Sequence, residues 1–413
     1  MHKPFMAMDF LKTARWLNRG RVAGYLVLLA LLNAATLVFL VVTARNGVDR
    51  NGFLLGTDFL SFWTSGRMLA DGASVYDQAA HIAAQQTYWV QQDEAFTAFF
   101  YPPSFLPFCY PLGLAPYFVS LALWLLATGA FYVWTGSRWL REFALDRPSR
   151  WILLAGFPPV LITITHGQTS FLVAGLLGLA TLWVPRRPIA AGVLFGLATI
   201  KPQFGLLIPL ALLLTGEWRV IAAAVASALV LALVSTLAFG LETWSAWAAV
   251  SSSAQAAMSE GAVGFAKMMS VFAGARLLGL PVSAAYALQA VTSLAVAGVV
   301  ACVAWKARWR HGLGAAVLAG APLATPFVLD YDLVLLAFPL IWLATREDRL
   351  PWERIAMLLT FAGAAFARPL AMNLGVPIMP MILALFFAVV ARRALARGSE
   401  PREQVGMTVD EAA

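Results

Sequence analysis

The chain is apolar, and the few polar side chains that interrupt it are of types that could do chemistry. Asp58 stands shortly after the first apolar run, and a second acidic group, Asp330 and Asp332, stands late in the chain. A carboxylate can act as a general base toward a hydroxyl group. Lys201 interrupts another apolar stretch, and a lysine binds phosphate as a point charge.

Other polar residues in apolar surroundings are candidates for substrate binding, and each candidate also has a purely structural explanation. Asp58 and Asp332 could cap the helices that follow them, and Lys201 could be a lysine that extends from a helix end toward water. His166 and Gln168 could be bonded to the backbone of their turn, and Tyr101 could belong to an interfacial aromatic belt. The candidates for substrate binding are Tyr101, Arg67, His166, Gln168, Lys201, Asp330 and Asp332.

The sequence gives no reason to expect a metal ion or a cofactor. Its two cysteines, Cys109 and Cys302, are far apart, and no CxxC motif or His/Cys group is present. The pair Asp330 and Asp332 is too small a signal to define a cation site.

The composition requires these residues to be held in a membrane. Of 413 residues, 61% are hydrophobic and only 12% are charged, whereas a soluble chain carries about 25% charged residues. A water-soluble enzyme, a nucleic-acid-binding module and a disordered protein are therefore excluded. The net charge of +8 does not indicate nucleic acid, because the basic residues are dispersed and follow a membrane pattern.

The first apolar run, Val22 to Thr43, follows five basic residues and is long enough, at about 33 Å, to span the hydrocarbon core. We interpret it as a retained helix with a cytoplasmic N-terminus rather than as a cleaved signal. Eleven more apolar stretches follow, which gives about twelve transmembrane helices, with a range of 10–13. They lie at about 113–135, 151–165, 169–184, 188–200, 203–215, 219–240, 284–305, 313–328, 333–345, 355–370 and 378–391.

The basic residues support this topology. If every stretch crosses the membrane, only seven of the 29 basic residues lie outside, as the positive-inside rule requires. Fusing 188–215 or 151–184 into one span would move basic residues outward, so hairpins are favoured there. The outer basic residues are Arg45, Arg50, Arg67, Lys201, Lys267, Arg276 and Arg368.

The hairpins are short, and this predicts a polar pocket. A run of 13 residues reaches only about 20 Å, so its outer turn should lie below the membrane surface. The turns 166–168 and 201–203 contain polar side chains, which are costly at that depth unless they line a cavity or bind a partner.

Two outer loops complete a single transmembrane domain over residues 1–397. The loop 44–112 should contain an interfacial helix from Phe59 to Ala70, a second helix from His81 to Val90, and an extended segment where prolines crowd residues 99–117. The loop 241–283 could contain short interfacial helices around Trp244, Trp247 and Met268. Residues 398–413 are polar and are predicted to be a disordered cytoplasmic tail.

Several segments, in this order and spacing, resemble the polyprenol-phosphate-sugar-dependent glycosyltransferases of family 87, which share the GT-C membrane fold. The likeness covers roughly the first 220 residues and is weaker beyond them. The segments are Asp58 followed by TSGRMLADGASVYD at 64–77, YPPSFLPFCYPLGLAP at 101–116, HGQTSFLVAGLLGLA at 166–180, AGVLFGLATIKPQFGLLIPLALLLTGEWR at 191–219 and TPFVLDYDLVLLAFPLIWL at 325–343.

The resemblance implies the GT-C fold. Together with the topology above, it predicts an all-α protein of the plasma membrane, the bacterial inner membrane, with both termini cytoplasmic. It also implies an inverting transfer of a sugar, typically mannose, from a lipid-phosphate donor to a lipid or glycan acceptor on the outer face. Asp58 is implied to be the general base. Where the family would lead us to expect a basic or histidine side chain in the late turn, this chain has Asp330, Tyr331 and Asp332.

Two other functions fit a polytopic protein. A transporter or flippase of a lipid-linked substrate would bind at the midplane and often shows internal repeats, whereas the polar residues here gather toward the outer side. A non-catalytic component of a cell-envelope assembly would have no need of Asp58.

Overall fold

The computed structural model describes residues 3–89, 97–142, 152–305, 308–346 and 348–396. Within them the chain is helical, and its only β-type pairs are isolated bridges. The all-α fold class is therefore confirmed. The helices are α1 (Lys3–Thr13), α2 (Arg19–Thr43), α3 (Phe59–Ala70), α4 (Gln78–Tyr88), α5 (Leu106–Gly113), α6 (Tyr117–Glu142), α7 (Pro158–His166), α8 (Ser170–Trp183), α9 (Pro188–Leu197), α10 (Ile208–Thr215), α11 (Trp218–Phe239), α12 (Glu242–Glu260), α13 (Val271–Leu277), α14 (Val282–Ala304), α15 (His311–Ala324), α16 (Ala337–Ala344), α17 (Glu353–Leu374) and α18 (Met379–Leu395).

Five helices in the described part of the chain are long and apolar enough to cross a membrane. They are Gly20–Thr43, Tyr117–Glu142, Trp218–Phe239, Val282–Ala304 and Glu353–Leu374. Large apolar side chains on them, such as Leu31, Leu237 and Leu294, are mostly exposed, which suits a lipid environment. The remaining predicted stretches occur as shorter helices, so the total of twelve crossings stays a prediction.

The core is built around α15. Every residue from Gly312 to Ala324 is buried, and α15 packs against α8, α14, α16 and α18. Small residues make this possible, because alanine and glycine let neighbouring backbones approach closely.

Three breaks divide the short apolar stretches, and each carries polar residues. Gly167 terminates helix α7. Its φ of +65° lies in the left-handed region and its close approach to Phe59 leaves no room for a side chain, so glycine is favoured there. Helix α9 continues as a short 3-10 turn that ends at Lys201, and Pro202 starts the next. A 3-10 segment, Asp330–Leu336, leads into α16.

The first outer loop folds as two helices and a turn. Helix α3 has the predicted bounds, but it is largely buried rather than lying on lipid. It packs on α5 so closely that a Cβ at Gly66 would lie 2.2 Å from the carbonyl oxygen of Cys109. Helix α4 begins at Gln78 instead of His81 because Asp77 caps it.

A fully bonded histidine joins α3, α4 and the segment after them. Because the one proton of Ser65 Oγ is donated to Ser61 O, His81 Nε2 donates to Ser65 Oγ at 3.1 Å. Its Nδ1 accepts from Gln85, which also pairs with the backbone of Thr97. Burial lowers the pKa of His81 to about 4, so this connection is neutral at pH 7.

Two expectations about the outer loops were wrong in detail. The proline-rich segment keeps an extended backbone only as far as Pro102. Residues 103–105 then form a 3-10 turn and 106–113 form α5, because Pro107 occupies the first turn, where a helix tolerates proline. In the second loop, Trp244 and Trp247 lie on one helix of 19 residues, α12, rather than on short ones. Met268 does lie between short elements, a 3-10 turn at Phe265–Lys267 and the seven-residue α13.

Some predictions concern residues that the structure does not describe. They include the tail 398–413 and the predicted end, at Val90, of the second helix in the first outer loop. The inner basic residues Arg147, Arg150 and Lys306 also lie outside the described residues. The single-domain boundary at residue 397 stays a prediction.

Candidate functional site

The first outer loop is tied to the end of α7, and this places Asp58. Gly56 N–H donates to Thr165 O and Asp58 N–H donates to His166 O, both at 3.0 Å. Asp58 directly precedes α3, but its side chain makes no capping bond. Helix capping, the structural alternative for Asp58, therefore lacks the hydrogen bond that would define it. The carboxylate instead faces the α7–α8 turn and is half-buried.

Gln168 in that turn fixes one oxygen of the Asp58 carboxylate. Its Oε1 accepts from Thr169 N–H at 2.8 Å and from Tyr101 Oη at 2.9 Å. Because a backbone N–H can only donate, the orientation of the amide is determined. Nε2 therefore points the other way and donates to Asp58 Oδ2 at 2.9 Å and to Tyr331 Oη at 3.1 Å.

Tyr331 connects this turn to the late polar turn. Its N–H donates to Asp330 Oδ1 at 2.9 Å, and its carbonyl oxygen accepts from Thr163 at 3.2 Å. The Nζ of Lys201 lies 5.2 Å from the centre of its ring. Residues more than a hundred positions apart are thus brought into one hydrogen-bonded polar cluster.

Two ion pairs hold the aspartates of the late turn, residues 330–332. Lys201 Nζ is 2.5 Å from Asp332 Oδ1, which also accepts from Ser170 Oγ at 2.7 Å. Arg368, on α17, donates through one Nη to Asp330 Oδ2 at 3.1 Å. Both aspartates are buried, so each needs a partner for its charge.

Asp332 also makes the contact that a capping residue would make. Its Oδ2 accepts from Leu329 N–H at 3.2 Å, at the start of the 3-10 segment. The structural and electrostatic roles of this side chain coexist.

The two ring nitrogens of His166 differ, because only Nδ1 is hydrogen-bonded to a described part of the protein. Its Nδ1 donates to Ile162 O at 2.9 Å, since a carbonyl oxygen can only accept. In the neutral imidazole the proton is therefore on Nδ1 and the lone pair is on Nε2, for which the described residues supply no hydrogen-bond donor. The ring centre lies 5.8 Å from that of Tyr331.

The structure therefore brings seven of the eight predicted site residues together: Asp58, Tyr101, His166, Gln168, Lys201, Asp330 and Asp332. It does not bring in Arg67. That residue lies nine positions along α3 from Asp58, about 13 Å away. Its side chain is exposed and its guanidinium lies over Trp63, 5.9 Å from the ring centre.

Four members of the cluster were missed: Thr169, Ser170, Tyr331 and Arg368. Thr169 and Ser170 follow a turn that was recognised, and Tyr331 stands between two predicted aspartates. Arg368 gave the strongest unused signal, because a charged residue within an apolar helix marks a functional position by default.

Tyr101 enters the cluster as a neutral hydroxyl. Its Oη is bonded to Gln168 and to Thr169 at 2.8 Å. Burial raises the pKa of the Tyr101 hydroxyl well above its usual value, so the group keeps its proton.

The described residues contain no group of three or more His, Cys, Asp or Glu side chains placed to hold a metal ion. The two aspartates of the late turn are instead each paired with a cation.

These features define a helical, membrane-embedded protein with a buried polar site assembled at the broken ends of its short helices. The sequence model of glycosyltransferase family 87 matches residues 99–329, which is more than half of the chain. The chain belongs to this family and is a membrane glycosyltransferase. No curated protein and no solved structure matches it.

The family match covers only part of the site. Tyr101, His166, Gln168 and Lys201 fall within it. Asp58 lies before it, and the late turn 330–332 and Arg368 lie after it. The roles of these outlying residues therefore have to be argued from their geometry in this chain.

Proposed function

We propose that the protein transfers a hexose, mannose in the first instance, from a polyprenyl-phosphate donor to a lipid or glycan acceptor. The reaction takes place at the outer face of the plasma membrane and inverts the anomeric centre, with Asp58 as general base. The observation that carries this proposal is the Asp58 carboxylate, fixed through Oδ2 by Gln168 and half-buried in the polar cluster.

The geometry suits a single-displacement reaction. Asp58 Oδ1 has no hydrogen-bond partner among the described residues, so it can accept the proton of an acceptor hydroxyl. The oxygen of the acceptor hydroxyl then attacks the anomeric carbon from the side opposite the phosphate, and the C–O bond between that carbon and the phosphate breaks. The products are the glycosylated acceptor and polyprenyl phosphate. Because phosphate leaves as a stable anion, a strong general acid is not required.

The other side chains of the cluster can hold the reactants. Asp330, Asp332 and His166 Nε2 can accept hydrogen bonds from sugar hydroxyls, and Tyr101, whose one proton is donated to Gln168, can accept one. The growing charge on phosphate needs a cation, and the cations of the cluster are Lys201 and Arg368. Substrate binding by Arg67 stays a prediction that would require the substrate to extend along α3.

The proposed function is tested by incubating the purified protein with a panel of polyprenyl-phosphate sugars and a membrane lipid extract. We expect a new glycolipid, detected by mass, that depends on one donor of the panel and on Asp58. If no donor of the panel is consumed while the protein moves labelled lipid-linked sugar across vesicles, the chain is a flippase and the proposal is wrong.

In the proposed orientation, the site lies on the extracytoplasmic side of the membrane. Helix α8 begins at the polar turn and ends just before Arg186 and Arg187, and α15 begins beside Arg310. The basic residues therefore lie at the opposite helix ends from the site, which the positive-inside rule assigns to the cytoplasm.

Cysteine labelling tests this orientation. In a Cys302→Ala background, which removes the exposed native cysteine, we expect Ser74→Cys to react with an impermeant thiol reagent in intact cells. Arg308→Cys should react only after permeabilisation, although both positions are exposed in the structure. The opposite pattern would invert the topology.

A further inference from the structure

We propose that Arg368, held by Asp330, is the residue that binds the phosphate of the lipid-linked donor, and that Lys201 serves to fix Asp332. This inference rests on the proposed function. Arg368 lies outside the family match, so its role is inferred from the contacts of this chain.

Arg368 combines a fixed charge with free hydrogen-bond donors. One Nη is bound to Asp330, and the side chain is still 26% exposed. A guanidinium has five N–H donors in a planar fork, and the described residues provide an acceptor for only one of its nitrogens. The rest of the fork can meet two phosphate oxygens at once.

Arg368 also lies at the right depth. It stands fifteen residues beyond Glu353, the first residue of α17, and thus about 22 Å from the basic, inner end of that helix. The phosphate of a polyprenyl donor lies at the headgroup level, near the opposite surface.

Lys201 has the same charge but is already committed. Its side chain is only 7% exposed, and Nζ lies between Asp332 and the rings of Phe204 and Tyr331. Asp332 in turn is held by Ser170 and by Leu329 N–H. Giving up this pair would leave a buried carboxylate without its counterion, which is strongly unfavourable.

The charge balance of the cluster points to the same residue. Asp58, Asp330 and Asp332 face two cations, so an anionic donor needs a cation that can reach it without breaking a buried pair. Arg368 satisfies this condition because its bond to Asp330 uses one nitrogen only. The turn that carries Lys267 packs against α17, the helix of Arg368. Two residues after Lys267, Met269 N–H donates to Val328 O, next to the late turn.

The two ion pairs permit a matched test. Arg368→Met with Asp330→Asn removes one pair, and Lys201→Met with Asp332→Asn removes the other. Neither double variant leaves a buried charge unpaired, so both should fold. Thermal unfolding in detergent checks this. Arg368→Lys, which keeps the charge without the fork, is the conservative variant.

The primary readout is the binding of polyprenyl phosphate, the sugar-free product, since it needs no turnover. We expect the Arg368/Asp330 double variant to bind it at least tenfold more weakly than the wild type and to raise the donor KM similarly. The Lys201/Asp332 variant should change this affinity by less than about threefold (under 1 kcal/mol), with its main loss in kcat. Arg368→Lys should fall between wild type and the double variant.

The outcomes separate the inference from the proposed function. If the wild type binds polyprenyl phosphate and the Arg368/Asp330 variant binds it equally well, or both double variants lose it equally, the role of Arg368 is wrong and the proposed function stands. If the folded wild type neither binds polyprenyl phosphate nor uses any polyprenyl-phosphate sugar, both are wrong.

Discussion

Replacing Asp58 by Asn is expected to lower the rate of sugar transfer by roughly 10² to 10⁴-fold, the usual contribution of a general base. The amide cannot take the proton of the acceptor hydroxyl. The substitution is nearly isosteric, and the Asn oxygen can still accept from Gln168, as Asp58 Oδ2 does at 2.9 Å. The cluster should therefore persist, and the donor KM should change by less than about threefold. The measurement is a single-turnover rate with the donor that the panel identifies.

Asp71→Asn is the matched control for this variant. Asp71 ends the same helix α3 that Asp58 precedes, and it is exposed and remote from the cluster. We expect its transfer rate to equal that of the wild type. An Asp58→Asn protein that transfers sugar at the rate of Asp71→Asn would remove the base assignment and leave Asp58 with a role in folding only.

Local features of the sequence predicted the elements that surround the site. The bounds of α3 follow from the apolar spacing after Asp58 and from the Asp71-Gly72 stop. The breaks at Gly167 and Lys201 lie where charge placement predicted two short hairpins, while the hairpins themselves stay a prediction. Neither prediction depends on which distant element packs alongside.

The contacts within the site could not be predicted in the same way. Gln168 and Asp58 are 110 residues apart, and Lys201 and Asp332 are 131 apart. Local sequence does not specify which distant side chain completes a buried pair. Capping by Asp58 and phosphate binding by Lys201 were therefore as consistent with the sequence as their alternatives. Only the packing of the α7–α8 turn, the turn after α9 and the 3-10 segment before α16 shows that Asp58 faces Gln168 and that Lys201 is paired with Asp332.

The identity of the phosphate-binding cation illustrates this limit. From the sequence, Lys201 was preferred because the short helices place it at membrane depth, and Arg368 was one of seven outer basic residues. Once the partners are known, burial and pairing distinguish the two: Lys201 is enclosed by Asp332 and two rings, and Arg368 keeps exposed donors. What decides between them is their exposure and their free N–H groups, which are tertiary properties.

The second large effect is expected at Gln168, whose contacts indicate that it positions the base rather than the substrate. All its polar atoms are bonded to protein groups, and the residue is only 5% exposed. Gln168→Met should lower kcat by about one to two orders of magnitude, because the Asp58 carboxylate loses the hydrogen bond that fixes its direction. The donor KM should change by less than about threefold.

Gln168→Glu distinguishes positioning from simple packing. It would place a second carboxyl group against Asp58 Oδ2, and two carboxylates at this distance cannot both ionise at little cost. The base is active only without its proton, so the acid limb of the kcat profile should move to higher pH by more than about one unit, with the rate recovering as the pH rises. Gln203→Glu, in the neighbouring turn and without a bond to Asp58, should leave the limb in place. A large rise in donor KM with an unshifted pH profile would instead make Gln168 a substrate contact, as its sequence position alone suggested.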